Sequence, residues 1–251
     1  MLLLLDRLSP LRLCLPRLSL VQVTALLMAA VLSACSVPGS DPAYAPGYGN
    51  GSQAVARQVA QQFIQVVDTV EPVAERECRR RTVGSNCDFL IVVDDRPDQP
   101  PNAHQFVTDE GQPVVAFTYS LLETVRNADE LAFVMGHETA HHIAGHLDRQ
   151  AASAERGAAI LAGLVSVRGG NAAQIEEAQK IGALIGSRRY SKEFELEADA
   201  LGTVITLKAG FDPVRGAEFF NRLPDPGNQF LGTHPPNADR LATVRRTAAA
   251  L

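Results

Sequence analysis

The sequence predicts an α+β, mostly helical fold, with a small β-sheet early in the chain and an HExxH motif on one of the helices that follow. Three observations predict it. Short β-branched runs bounded by Pro, Asp and Gly fall between residues 88 and 118. Apolar residues at three- and four-residue steps govern nearly everything after Tyr119, and His137-Glu138-Thr139-Ala140-His141 lies inside such a stretch. A chain of 251 residues that is 46% hydrophobic and 20% charged is ordinary for one globular domain with a small appendage, which excludes wholesale disorder, collagen-like repeats and a multi-span membrane protein.

The N-terminus reads as an export signal. Arg7, Arg12 and Arg17 precede the apolar run Leu20 to Leu32, broken only by Gln22 and Thr24. As a helix that run covers about 20 Å, short of the ~30 Å hydrocarbon core, so a signal-peptide core fits it better than a membrane span. Leu32-Ser33-Ala34-Cys35 resembles the bacterial lipobox, which implies removal of residues 1–34 and a lipid on Cys35. Ser36 in the next position implies sorting to the periplasmic side of the outer membrane; the plainer alternative is a secretory signal that happens to contain a Cys. Losing residues 1–34 takes the net charge from −5 to −7. With no basic block, nucleic-acid binding is excluded. An oxidising compartment permits Cys78 and Cys87 to bridge across their eight intervening residues, and two lone cysteines make a poor metal site.

The elements follow in order. Residues 35–51 read as a lipidated flexible tether, with four Gly and three Pro between Ser36 and Gly51, and residues 52–251 as the folded domain. Val55, Val59, Phe63, Val66 and Val70 predict an amphipathic helix ending near Pro72. Asp88 to Asp94 reads as a buried strand. Extended stretches follow at Ala103–Thr108 and Pro113–Thr118, turning at Asp109-Glu110-Gly111. Asn127 caps a helix with Glu130 at capping-box spacing, and that helix is expected to run from Glu130 through Gln150. Asn171 with Gln174 opens another after Gly169-Gly170. A third, from Ser191, stops at Gly210, and Asp212-Pro213 and Pro235-Pro236 start two shorter ones.

The chemistry sits on two helices. His137 and His141, four apart, share a face and can reach one metal ion, while Glu138 projects about 100° round the helix, toward a metal-bound water. Fifty-odd residues later Glu195 and Asp199 also share a face: one can ligate the metal while the other orients a histidine from behind. Glu193 and Glu197 point elsewhere on the wheel and read as a solvated acidic face. His142 and His146 are expected to continue the motif helix turned away from the 137/141 face, and His104 lies in a strand without a spacing partner.

Together these residues resemble the gluzincin family of the CAAX prenyl protease and the HtpX-type heat-shock protease, in its periplasmic lipoprotein branch. The matching pieces are Glu130-Leu131-Ala132 through His146, Ser191 to Asp199 followed by Gly202, and Thr233-His234-Pro235 with Arg240. The resemblance implies a zincin-like catalytic domain. One zinc ion (Zn2+) per chain would be held by His137, His141 and Glu195, with Glu138 as general base and Asp199 hydrogen-bonded to His137. It also implies that His234 faces the metal, as oxyanion donor or as a fourth ligand that latches the resting enzyme, with Arg240 in support, and that Pro101-Asn102-Ala103 begins an edge strand for substrate backbone. Two departures stand out: Lys192 where the family often has Arg, and Asp109-Glu110-Gly111 where it usually has Pro-Gly-Gly. Membrane members carry spanning helices between the two motifs, whereas Ala158–Val167 is too short to span and is expected to be a core helix or a cover over the cleft. The expected function is a zinc endopeptidase of the bacterial envelope acting on unfolded or misassembled proteins. The second reading is a zinc-stabilised, catalytically latent, chaperone-like lipoprotein, and a zinc aminopeptidase stands behind both because no group for a free N-terminus is identifiable.

Overall fold

The apolar stripe that begins at Val55 belongs to one long helix, α1 (Asn50–Arg81), in the computed structural model, which describes residues 50–188, 191–224 and 235–251. The expected signal, Cys35, nearly all of the tether and His234 lie outside the described residues. Helix α1 does not end at Pro72. Proline removes one helical hydrogen bond, but Val66, Val70, Val73, Ala74 and Cys78 form a continuous buried face, and that packing carries the helix across the gap. Three arginines, Arg79 to Arg81, occupy its last turn, where cations complement the helix dipole. Cys78 is bonded to Cys87, with Cα atoms 5.7 Å apart, which fixes the end of α1 to the approach of the first strand.

Strands β1 (Leu90–Asp94), β2 (Ala103–Val107) and β3 (Pro113–Thr118) form a sheet of order β1-β3-β2. β3 lies parallel to β1, with Ile91 opposite Val115, and antiparallel to β2, with Gln105 opposite Val115. The buried strand is β3, all six residues of it, because it is paired on both sides. β1, expected to be buried, is an edge strand with Leu90 49% and Val93 40% exposed. The β2–β3 turn needs Gly111, which sits at φ +83° and donates its N–H to Thr108 O. Thr118 ties the lead-in to β2 in place: its hydroxyl accepts from Asn102 N–H at 2.9 Å and donates to Pro100 O at 3.1 Å.

The rest is helical: α2 (Tyr119–Thr124), α3 (Ala128–Ile143), α4 (His146–Val167), α5 (Ala172–Arg188), α6 (Ser191–Lys208), α7 (Pro213–Ala217), a 3-10 turn (Glu218–Arg222) and α8 (Asn237–Ala249). α3 is the central helix, buried without interruption from Glu130 to His137, with Leu131, Phe133 and Met135 in a core shared with Phe117, Leu121 and Ile205. Asn127 caps it by accepting from Glu130 N–H at 3.0 Å. The Glu130 carboxylate reaches past the cap to Arg126 N–H at 2.8 Å and pairs with Arg222 at 2.5 Å, fastening the 3-10 turn to the start of α3.

Two helical expectations need correction. The motif helix does not run to Gln150; it ends at Ile143, and Gly145 at φ +65° turns the chain before α4 begins at His146. Ala158–Val167 is neither a core helix nor a cover over the cleft. It is the far part of α4, which forms a hairpin with α5 so close that a Cβ on Gly182 would fall 2.2 Å from Gly157 O, and it leaves Ile160, Leu164 and Val167 exposed. Among the described residues no helix is long and apolar enough to cross a membrane.

Candidate metal centre

Helices α3 and α6 touch backbone to backbone where two glycines meet. A Cβ on Gly202 would lie 2.8 Å from His137 N, and one on Gly136 would lie 2.9 Å from Gly202 O. Glu195 and Asp199, seven and three residues before Gly202, share its face of α6 and are therefore pressed toward His137. His137 Nε2 is 3.0 Å from His141 Nε2. The Glu195 carboxylate closes the triangle, Oε2 at 3.6 Å from His137 Nε2 and Oε1 at 3.4 Å from His141 Nε2. The three residues each offer a ligand atom within 4.8 Å of the others.

Behind the rings the environment is polar and packed. His137 Nδ1 is 2.9 Å from Asp199 Oδ1. Asp199 is wholly buried, and Arg240 of α8 grips it with Nε to Oδ2 at 2.8 Å and Nη2 to Oδ1 at 2.7 Å. The Arg240 guanidinium also lies 3.7 Å over the Phe220 ring and 3.5 Å from Glu195 Oε2. α8 is held to the preceding turn by Asn237 Nδ2, which donates to Phe220 O at 2.9 Å.

Electrostatics follow from this burial. Burial and Arg240 push the His137 pKa down, but hydrogen bonds to Asp199 and Glu195 outweigh them and hold it up at about 9. His141 is driven the other way, to about 3, by burial and then by the charge of His137. Burial works against ionisation of Asp199, yet the Arg240 contact and His137 keep its carboxyl below the ordinary value.

The sequence-based placement of His146 fails. Because the chain turns at Gly145, its ring comes back over the site: Nδ1 lies 2.9 Å from His141 Nδ1, and the residue is 4% exposed. Glu197, expected to be a solvated face residue, meets His146 Nε2 at 3.2 Å and Arg149 Nη1 at 2.8 Å. The missed signal was Gly145 itself, since a glycine a few residues past a histidine pair is a common helix stop. His142 is a packing residue, its Nε2 2.8 Å from Asn86 O and its ring edge-on to Phe89. His104 stacks on Phe106.

His137, His141, Glu195 and the half-buried Glu138 line an open cleft of about 600 Å³ that is also lined by Asn102, just before β2, and by Ala103 and Gln105 of β2. The donor set fits zinc. It offers two imidazole nitrogens and one carboxylate, a partner on the far nitrogen of each ring, and a side open to the cleft for a fourth position.

A small sheet beside a helix that carries HExxH, crossed by a second helix that brings a carboxylate to the histidine pair, defines a zincin-like metallopeptidase domain. The chain belongs to peptidase family M48, whose model matches residues 60–248. It is 31% identical over 141 residues to the beta-barrel assembly-enhancing protease of Escherichia coli, covering 49% of this chain and 28% of that one. It is 27% identical over 186 residues to the mitochondrial metalloendopeptidase OMA1 of Homo sapiens, covering 68% and 34%. With the Saccharomyces cerevisiae mitochondrial metalloendopeptidase OMA1 it shares 30% identity over 167 residues, 62% and 46%. The chain thus spans less than half the length of each of these relatives.

Proposed function

We propose that this chain is a zinc-dependent endopeptidase of the bacterial cell envelope that cleaves unfolded or misassembled proteins. The observation that carries the proposal is the convergence of His137, His141 and Glu195 on one point, with Glu138 beside them on the wall of an open cleft. Zinc held there would supply Lewis acidity to the scissile carbonyl and make a water acidic enough to attack at neutral pH. Glu138 takes the proton of the attacking water and returns it to the leaving amine. Asp199 holds the proton of His137 on Nδ1 so that Nε2 faces the ligand space, and Arg240 keeps that carboxylate ionised and in place. His234 is assigned to the oxyanion from the sequence pattern alone.

The substrate reading rests on β2, the edge strand facing the cleft, which offers backbone groups to an extended chain regardless of its side chains. The name of the Escherichia coli relative, a protease that enhances β-barrel assembly, points the same way. Location is read from the lipobox-like Leu32–Cys35 and from a bonded Cys78–Cys87 pair, which suits an oxidising compartment. On this reading residues 1–34 are removed, Cys35 carries lipid on the periplasmic side of the outer membrane, and the residues between Cys35 and α1 tether the domain.

The test compares wild type with Glu138→Gln on casein. Wild type should hold about one zinc and cut, and the variant should keep the metal and lose at least about 100-fold in rate. A zinc-loaded wild type inert on every unfolded chain, yet still binding such chains, would put the latent binding lipoprotein in place of the protease.

A further inference from the structure

We propose that His146 is a positioning residue for the ligand His141, acting in a chain that runs on to Glu197 and Arg149; this rests on the zinc reading above. The hydrogen bonds have one consistent direction. For His141 to offer its Nε2 lone pair to a metal shared with His137, its proton must sit on Nδ1. That N–H donates to His146 Nδ1, 2.9 Å away. The neutral His146 ring then carries its own proton on Nε2, which donates to Glu197 Oε2 at 3.2 Å, and Arg149 Nη1 donates to the same oxygen at 2.8 Å.

The two ligand histidines are thus supported in parallel ways from the same helix. His137 rests directly on Asp199, which is clamped by Arg240. His141 lies one turn further along α3 and reaches its carboxylate–arginine pair through an interposed imidazole. His146 is built to hold that place: it is buried, and its ring stacks on Phe194 at 4.6 Å with an interplanar angle of 11°. Phe194 also carries the Arg149 guanidinium at 4.3 Å. Gly145 at φ +65° supplies the turn that swings His146 back toward α3, a conformation that residues with a Cβ rarely adopt.

The experiment measures zinc affinity of the full chain by competition with a chromophoric chelator, and the visible spectrum of the Co2+-substituted protein. His146→Ala should bind zinc about 10- to 100-fold more weakly and shift the cobalt bands. His146→Gln, whose amide can both accept from His141 and donate to Glu197, should recover part of the loss. Glu197→Gln, at a half-exposed carboxylate on the surface of α6, should weaken binding in the same direction. A folded His146→Ala with wild-type zinc affinity and cobalt spectrum would overturn the assignment, as would an unchanged Glu197→Gln if His146→Ala does not fold. A wild-type chain that takes up no zinc would instead remove the zinc reading beneath it.

Discussion

Asp199 shows what a single residue contributes. It is a fully buried anion whose oxygens are taken up by Arg240 and His137, so replacing it frees a buried cation and the His137 ring together. Asp199→Asn should cost about 3–5 kcal/mol, the usual penalty for breaking a buried pair, seen as a lower melting temperature. The same variant should loosen zinc by roughly 10- to 100-fold in chelator competition. Glu77 makes the matching case away from the site. Its carboxylate, at the end of α1, accepts from Lys208 at 2.7 Å and from Arg80 and Arg81. Burial opposes its ionisation, but these cations win and hold its folded pKa below the unfolded value of 4.5. The stability it adds is therefore complete above about pH 4.5 and is lost as pH falls through the lower folded value. In acid melts, Glu77→Gln should start less stable at neutral pH and lose less on acidification than wild type. At this scale the sequence was legible for donor types: His137, Glu138, His141, Glu195 and Asp199 could be picked by spacing alone. His146 could not, because its distance to His141 depends on a backbone turn and not on a helical step.

At the scale of elements, the crossing of α3 and α6 makes the site. Gly202→Ala would place a methyl 2.8 Å from the His137 backbone nitrogen, where neither helix has a flexible side chain to yield. The helices must then separate, carrying Glu195 away from the histidine pair. The expected cost is about 1–3 kcal/mol in stability, with a disproportionate fall in zinc affinity that a melt paired with a metal titration would resolve. Helix periodicity revealed which residues of each element are apolar, and the caps at Asn127, Asn171 and Asp212 marked three starts. Periodicity was blind to two stops. α1 passes through Pro72 because tertiary burial outweighs one lost hydrogen bond, and α3 ends at Ile143, just before the turn at Gly145, although the helical pattern continues beyond it. The strands were legible as strands, but their order was not: β1 carries the more apolar run, yet β3 holds the centre.

For the molecule as a whole, the Cys78–Cys87 bond closes a short loop between the longest helix and the sheet. Loop-closure entropy assigns it about 2–3 kcal/mol, so Cys78→Ser with Cys87→Ser should lower the melting temperature by roughly 5–10 °C. Zinc content should be unaffected in that variant, since neither cysteine lines the cleft. The sequence by itself determined the chemical identity of the site, because residues four apart share a helix face whatever packs around them. Spacing left open which of the two α6 carboxylates joins the histidine pair and which stands behind His137, a choice the sequence made only through its family resemblance, and only the folded chain returned His146 to His141. The first depends on where one helix crosses another distant in sequence, and the second on a local turn of the backbone at Gly145, and neither follows from helical spacing.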